Sequence, residues 1–387
     1  MASFTYGQPT EIWFGRGRIQ ETGKAAWSLG KRCLLVTGPV SDARRPQIDA
    51  GTTSHRAAGL AVAHFDGVVP NPTTESITAG AGVAREHKAD VVVGLGGGSS
   101  MDSAKAIAVE STHEGSAWDY LFFKKPPTEK TLPVIAVTTT SGTGSQVTQV
   151  AVMTHTATRT KSAIYNERVF PRIAIVDPDL MLSVPHAVTA STGFDAFAHA
   201  FEAFIHVSGS PYADLMALEA MRLVRAALPR ALEDGRDPQA REQMAWADTL
   251  AGLCIAHAGV TLPHGIGMTI SGFCPHVMHG QSLAVTYPEF TRFTWRSAPA
   301  KFAAMGRILD PSLASVGEGE AAERSCLAMD AFLKQVDMWI SFEKLRVSQE
   351  ELVAIADHSQ VLPDYKNNPR VATRDEIYQM LMASYRR

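Results

Sequence analysis

Residues 89–110 read ADVVVGLGGGSSMDSAKAIAVE: an apolar run, a glycine-rich turn and a helix-forming stretch in direct succession. The β-branched residues assign a strand to Ala89–Val93, and the segment from Met101 onward has helical composition. A strand apolar at successive positions is covered on both faces, the situation in a parallel sheet flanked by helices. Three more runs fit the same reading. Cys33–Thr37 (CLLVT) ends at Gly38-Pro39, Pro133–Thr138 (PVIAVT) enters a second glycine turn, and Ile173–Val176 precedes Asp177-Pro178. Such strands alternating with helices predict an α/β domain. Ligands of these sheets bind at the carboxyl ends of the strands, where the glycine turns fall.

Around Ser183-Val184-Pro185 the character changes. From Ala190 onward the chain is rich in Ala, Leu, Met and Phe at helical spacing, as in ADLMALEAMRLVRAAL, and strand-like runs nearly vanish. At 387 residues, 45% of them hydrophobic, two domains are expected: an α/β domain at 1–185 and a mainly helical one at 186–387. The segments EDGRDPQ (233–239) and GEGEAAE (317–323) are expected to be solvated or flexible. A formal net charge of -3 with scattered Lys and Arg gives no sign of a nucleic-acid or membrane footprint, and neither partner is expected. No apolar run reaches the roughly 18 residues of a membrane span. The N-terminal stretch lacks the pattern of a signal peptide, and four dispersed cysteines form no CxxC pair. A cytoplasmic protein with reduced thiols is the expectation.

GLGGGSS resembles a dinucleotide turn without matching the strict fingerprint, because Ser99 stands where a third glycine belongs. Gly96, Gly97 and Gly98 still allow backbone N–H groups to approach a pyrophosphate at a helix start. The second turn, Thr139-Thr140-Ser141-Gly142-Thr143-Gly144-Ser145, adds hydroxyl donors at another strand end. Asp102 reads equally as a helix-dipole partner, and Lys105 as a surface residue. After the first strand, Thr37-Gly38-Pro39 lacks the acid that binds the adenosine ribose in many NAD enzymes, although Asp42 follows closely. NADP is therefore as acceptable as NAD.

Asp195 and His199 are four apart and project from one helix face. Ser191 and Thr192 are suitable N-caps, which would put the pair near the helix start. The neighbours Phe194, Ala196, Phe197, Ala198, Ala200 and Phe201 make a solvated pair improbable, and a buried aspartate needs a partner. GVTLPHGIGMTISGFCPHVMHG (259–280) supplies His264, His276 and His279. One carboxylate with three imidazoles suits iron(II) or zinc rather than calcium or magnesium. Spacing alone leaves His276 and His279 both open as the last ligand.

Taken together, these stretches resemble the iron-containing, group III alcohol dehydrogenases over nearly the whole length. The resemblance runs through VPNPT (69–73), GGGSSMDSAK (96–105), TTTSGTGSQVT (138–148), DPDL (177–180), GFDAFAHAFEAF (193–204), the histidine-rich segment and NPR (368–370). It implies a Rossmann-like domain followed by a helical one, the dehydroquinate synthase-like architecture. It also implies a homodimer or larger homo-oligomer, and hydride transfer between a small alcohol and NAD or NADP aided by Fe2+ or Zn2+. By the same match the metal and catalytic residues are Asp195, His199, His264 and His279, with His276 a rival because the intervening loop is one residue longer. Cofactor contacts fall on Gly38, Asn71, Gly97, Gly98, Ser99, Thr139, Thr140, Ser145 and Lys161. Gly38 takes the place of an aspartate that favours NAD in many members.

Two departures bear on the proton route: Met268 stands where many members carry a further histidine, and Gln146 replaces a common glutamate. Competing readings are a maleylacetate-type carbonyl reductase, a dehydroquinate-synthase-like lyase and a catalytically silent metal and nucleotide sensor. The first two need cationic residues around the metal, and neither FDAFAHAFEAF nor the histidine segment supplies Lys or Arg.

Overall fold

A computed structural model describes residues 3–42 and 44–387. Gly7–Val184 forms one compact unit, and Pro185–Arg387 together with residues 3–6 forms the other.

The first unit contains strands β1 (Glu11–Phe14), β2 (Arg32–Val36), β3 (Ala61–Phe65), β4 (Val91–Gly96), β5 (Val134–Thr138), β6 (Val150–His155), β7 (Thr160–Tyr165) and β8 (Ile173–Val176). Its helices are α1 (Thr22–Leu29), α2 (Arg45–Ala57), α3 (Thr74–His87) and α4 (Gly98–Glu110). Six strands form a sheet in the order β1-β8-β5-β4-β2-β3, every pair parallel. Side chains alternate across it. Leu34, Val36, Val92 and Val134 enter one apolar cluster, while Cys33, Leu35, Val91, Val93, Ile135, Val137, Ile173 and Ile175 enter another. Two buried faces explain the continuous apolar runs of the central strands.

The strands that the sequence did not reveal have a common cause. β1 and β3 lie at the sheet edges and keep partly exposed positions, so the apolar runs in EIWF and AVAHF are only three residues long. β6 and β7 form a separate antiparallel pair in which His155 faces Thr160. Between β2 and β4 the strand order reverses, because β3 lies outward of β2 and the chain then returns to pair β4 with β2. Ligands bind outside the carboxyl ends of strands at such a reversal. Gly38 follows β2 there, and the glycines at 96–98 join the end of β4 to the start of α4.

The second unit is helical: α5 (His186–Ile205), α6 (Pro211–Glu233), α7 (Pro238–Ala258), α8 (Leu262–Phe273), α9 (His279–Ala284), α10 (Tyr287–Thr294), α11 (Pro299–Leu309), α12 (Glu318–Gln335), α13 (Gln349–His358) and α14 (Arg374–Ala383). α5 is enclosed by α6, α7 and α9 and is buried without interruption from Gly193 to its end. A helix apolar around most of its circumference must be buried in this way. Phe197 and Phe201 pack on Phe332 and Phe302 respectively. Among the described residues, no single helix is long and apolar enough to cross a membrane.

Two local expectations are corrected. α5 starts at His186 after Pro185, not at Ser191 or Thr192. The Thr192 hydroxyl donates to the Val188 carbonyl one turn back, so Asp195 sits in the middle of the helix, where burial is complete. GEGEAAE is solvated at 317–320 as expected, but it is helical from Glu318: Glu318 and Glu320 occupy the first turn of α12, where acids interact favourably with the helix dipole. EDGRDPQ is the exposed link between α6 and α7, and Asp237 caps α7 by accepting from the Gln239 and Ala240 N–H groups.

Candidate active site

α5 carries Asp195 and His199 on one face, buried. α8 begins after Thr261, and its first turn presents His264. α9 begins at His279. A Cβ on Gly280 would lie 1.9 Å from the Ser191 carbonyl oxygen, so only glycine lets α9 come this close to α5. These three helix positions converge on one carboxylate oxygen. From Asp195 Oδ1, His264 Nε2 is 3.6 Å away, His199 Nδ1 3.7 Å and His279 Nε2 3.8 Å. The His199 and His264 rings stack with centroids 4.5 Å apart.

These separations are too long for hydrogen bonds. They match donors sharing one cation, since two atoms about 2.1 Å from a tetrahedral metal stand about 3.4 Å apart. Asp195 Oδ1 and His264 Nε2 are buried and have no hydrogen-bond partner, a costly condition that a cation removes. Among the described residues, Asp195, His199 and His264 form a group able to hold a metal ion, their ligand atoms all within 4.8 Å of one another. His276 lies elsewhere: it is exposed, and its Nε2 is 2.9 Å from the Leu345 carbonyl oxygen.

Glu202, two turns after Asp195 on α5, was not anticipated. Fully buried, its Oε1 accepts from His264 Nδ1 at 2.8 Å, and its Oε2 accepts from the Thr261 N–H at 2.9 Å. The Tyr287 hydroxyl donates to Oε1 at 3.3 Å. A carboxylate behind an imidazole fixes its tautomer and orientation, here leaving Nε2 as the lone-pair nitrogen facing Asp195. The one signal in the sequence was an acid amid apolar FDAFAHAFEAF.

With no cation to balance them, the buried carboxylates favour a second proton on the His264 ring, one that a bound cation would displace. Burial opposes ionisation of Asp195, but His199, His279 and His264 outweigh it and hold the carboxyl at about 2. Burial likewise disfavours charge on His264, yet Glu202 and Asp195 raise it to about 10. Asp364, in the short turn Pro363–Asn367, is pushed up to about 6 by burial, with His264 pulling it down and Glu202 adding to the rise.

In the other unit, the two glycine turns pack face to face. A Cβ on Gly98 would lie 2.6 Å from Thr143 Cγ2, and one on Gly97 would lie 3.1 Å from Thr140 Oγ1. The Thr139 N–H donates to the Gly96 carbonyl. Ser99 is in the first turn of α4, whose leading N–H groups have no partner within the helix. Lys161 Nζ donates to Asn71 Oδ1 at 2.9 Å, joining two further candidates; Asn71 adopts φ 53°. Gly38 lies beneath Arg44, whose Nη1 donates to the Pro39 carbonyl at 2.7 Å.

Lys105 is not a surface residue. It is fully buried, and Nζ donates to the carbonyls of Ser145, Thr148 and Val150 at 2.7, 2.9 and 2.7 Å. Asp102 is buried too, and its Oδ1 accepts from Ser145 Oγ at 2.6 Å. Ser145 therefore turns its hydroxyl inward, toward Asp102 and Lys105. This pair organises the second glycine turn from behind rather than serving the helix dipole or the surface.

Two family models cover the chain: iron-containing alcohol dehydrogenase over residues 9–178, and the C-terminal part of the Fe-containing alcohol dehydrogenase family over 189–385. The chain belongs to the iron-containing alcohol dehydrogenase family. Like other iron-containing alcohol dehydrogenases, it is an oxidoreductase interconverting an alcohol and its carbonyl counterpart. It is 33% identical to the NAD-dependent methanol dehydrogenase of Bacillus methanolicus, covering 96% of this chain and 97% of that one. Identity to a 1,3-propanediol dehydrogenase of Klebsiella pneumoniae is 34%, covering 97% of each. The crystal structure of an archaeal alcohol dehydrogenase from a Red Sea brine pool matches with a TM-score of 0.95 at 34% identity, covering 99% of both chains. The parallel-sheet domain and helical domain are those of this dehydrogenase fold.

Proposed function

We propose that Asp195, His199, His264 and His279 hold a divalent cation, iron(II) or zinc, at which a small alcohol and its aldehyde or ketone are interconverted with NAD(H) or NADP(H). The observation carrying this is the pair of buried, unpartnered atoms, Asp195 Oδ1 and His264 Nε2, aimed at one point. When bound, the cation supplies positive charge to the substrate oxygen, and the nicotinamide accepts or donates the hydride. The chain's own share is orientation and exclusion of water. Glu202 holds His264 in one tautomer. Gly97, Gly98, Ser99, Thr139, Thr140, Asn71 and Lys161 would contact the cofactor, with Ser145 supporting the turn. Relatives named for NAD-dependent methanol and 1,3-propanediol oxidation support small alcohols as substrates. The family resemblance extends the reading to a homodimer or larger assembly.

The test is a panel of primary alcohols and aldehydes assayed with NAD(H) and NADP(H), with and without added iron(II) or zinc. Full turnover by metal-stripped protein would end the proposal. Two variants refine it. His279→Ala is expected to release metal and His276→Ala to retain it, as read by metal analysis after dialysis. Retention in the first and loss in the second would reassign the fourth ligand.

Acceptance of NADP(H) is supported by Gly38 and by the guanidinium of Arg44 above it, a cation where an acid would otherwise stand. Gly38→Asp puts a carboxylate beside Arg44 and is expected to lower kcat/KM for NADP(H) relative to NAD(H) by about tenfold or more. An unchanged ratio would show that the adenosine ribose binds elsewhere.

A further inference from the structure

Tyr287 is a phenol buried where packing alone would ask for phenylalanine. It is among the largest fully enclosed side chains, and its ring meets Phe194 edge-on at 5.0 Å and Phe290 at 5.1 Å. A hydroxyl in such surroundings is costly unless it has a partner. Both of its partners lie on one turn of α5: Glu202 Oε1 at 3.3 Å and the Ala198 carbonyl oxygen at 3.4 Å. A carboxylate only accepts, so the phenol is the donor. The two acceptors bracket His199 along the chain. α9 opens at His279 and ends at Ala284, and α10 opens at Tyr287. The same phenol therefore ties the chain leaving His279 to α5.

Glu202 is fully buried, and among the described residues its one ion-pair partner is His264. Hydrogen-bond donors hold the rest of its charge. Oε2 takes the Thr261 N–H at 2.9 Å, the Thr261 hydroxyl at 3.2 Å and the His264 N–H at 3.4 Å. Oε1 takes His264 Nδ1 at 2.8 Å and the Tyr287 hydroxyl. Without the phenol, Oε1 would keep as its donor only the ring that it has to orient. We propose that Tyr287 is a positioning residue of the candidate centre: held in α10, it fixes Glu202 Oε1 and the α5 turn 198–202, and thereby the direction of His264 Nε2. This rests on the reading of Asp195, His199, His264 and His279 as metal ligands. The side chain that orients a ligand is itself oriented, and a support of this kind is expressed as metal affinity.

The test is zinc affinity, read by equilibrium dialysis of the cofactor-free protein against a series of zinc buffers. Tyr287→Phe keeps the ring and its packing, and is expected to raise the zinc Kd about tenfold at a Tm near wild type. That is the low end for an outer partner, because the phenol acts through Glu202. Tyr287→Met removes the same hydroxyl with a different filler and should move Kd in the same direction. Phe290→Leu disturbs the apolar contact alone; it should lower Tm and leave the zinc Kd at the wild-type value. The visible absorption of the cobalt(II)-loaded protein, which reads ligand geometry, should change in Tyr287→Phe and not in Phe290→Leu. An unchanged Kd in both Tyr287 variants, or an equal rise in Phe290→Leu, would overturn the role of the hydroxyl and leave the ligand set standing. A wild type that binds neither zinc nor cobalt(II) would overturn the ligand set, and the role of Tyr287 with it.

Discussion

Replacing His264 with alanine is expected to remove the bound cation and to lower kcat/KM for alcohol oxidation by roughly a thousandfold. Loss of a Lewis acid amounts to several kcal/mol of charge stabilisation, and each 1.36 kcal/mol is about a factor of ten. His264 is the most connected member of the centre. Its Nε2 meets Asp195 Oδ1 at 3.6 Å and its Nδ1 is held by Glu202 at 2.8 Å. The same logic makes Glu202→Gln informative, because the imidazole loses its anionic support. Metal affinity or activity should fall by about 10- to 100-fold, the usual range for such outer partners. Metal content by elemental analysis and steady-state kinetics read both variants. An alanine variant that keeps metal and activity would show that the cation is held elsewhere.

The second large effect concerns stability. Lys105→Met is expected to cost about 3–5 kcal/mol, the range for breaking a buried charged network, measured as a shift in the urea midpoint. An ammonium has three N–H groups, and three backbone carbonyls lie 2.7–2.9 Å from Nζ. Methionine fills the volume but leaves all three acceptors unpaired. A loss under about 1 kcal/mol would show that the carbonyls find other donors. Wild type should also show a pH signature. Burial lowers Lys105 from 10.5 to about 8, with Asp102 opposing. Between those values the unfolded chain holds more protons at this position, so its contribution to stability rises with pH across that window. The methionine variant should lack that rise.

What was legible in the sequence follows from where residues ended up. β2, β4, β5 and β8 were readable because both faces are buried and their composition is uniformly apolar. β1 and β3 were not, since an edge strand keeps polar and exposed positions. At the candidate centre, Asp195 and His199 could be paired from spacing alone, because four residues on a helix is a fixed geometry. His264 and His279 could be proposed but not placed, and the choice between His276 and His279 depended on the loop 274–278, whose course no local pattern dictates. Glu202 and Asp364 were missed for different reasons. Glu202 looked like an ordinary helical acid until the burial of α5 was known, and Asp364 is 100 residues from the histidine it lies beside. Lys105 illustrates the opposite error, a charged side chain assigned to solvent by default and found at the centre of a hydrogen-bond network.

The approach of α9 to Ser191 gives the centre an unequal construction. Two of its arms are spaced by the pitch of a single helix and cannot drift without unwinding it. The arm from His279 is spaced by the gap between two helices, and that gap is as narrow as it is because residue 280 has no side chain. A lone methyl group there would act as a wedge, tilting one imidazole outward while the rest of the constellation stayed in register. Under the proposed ligand set, coordination number would be tuned at a position that never touches the ion.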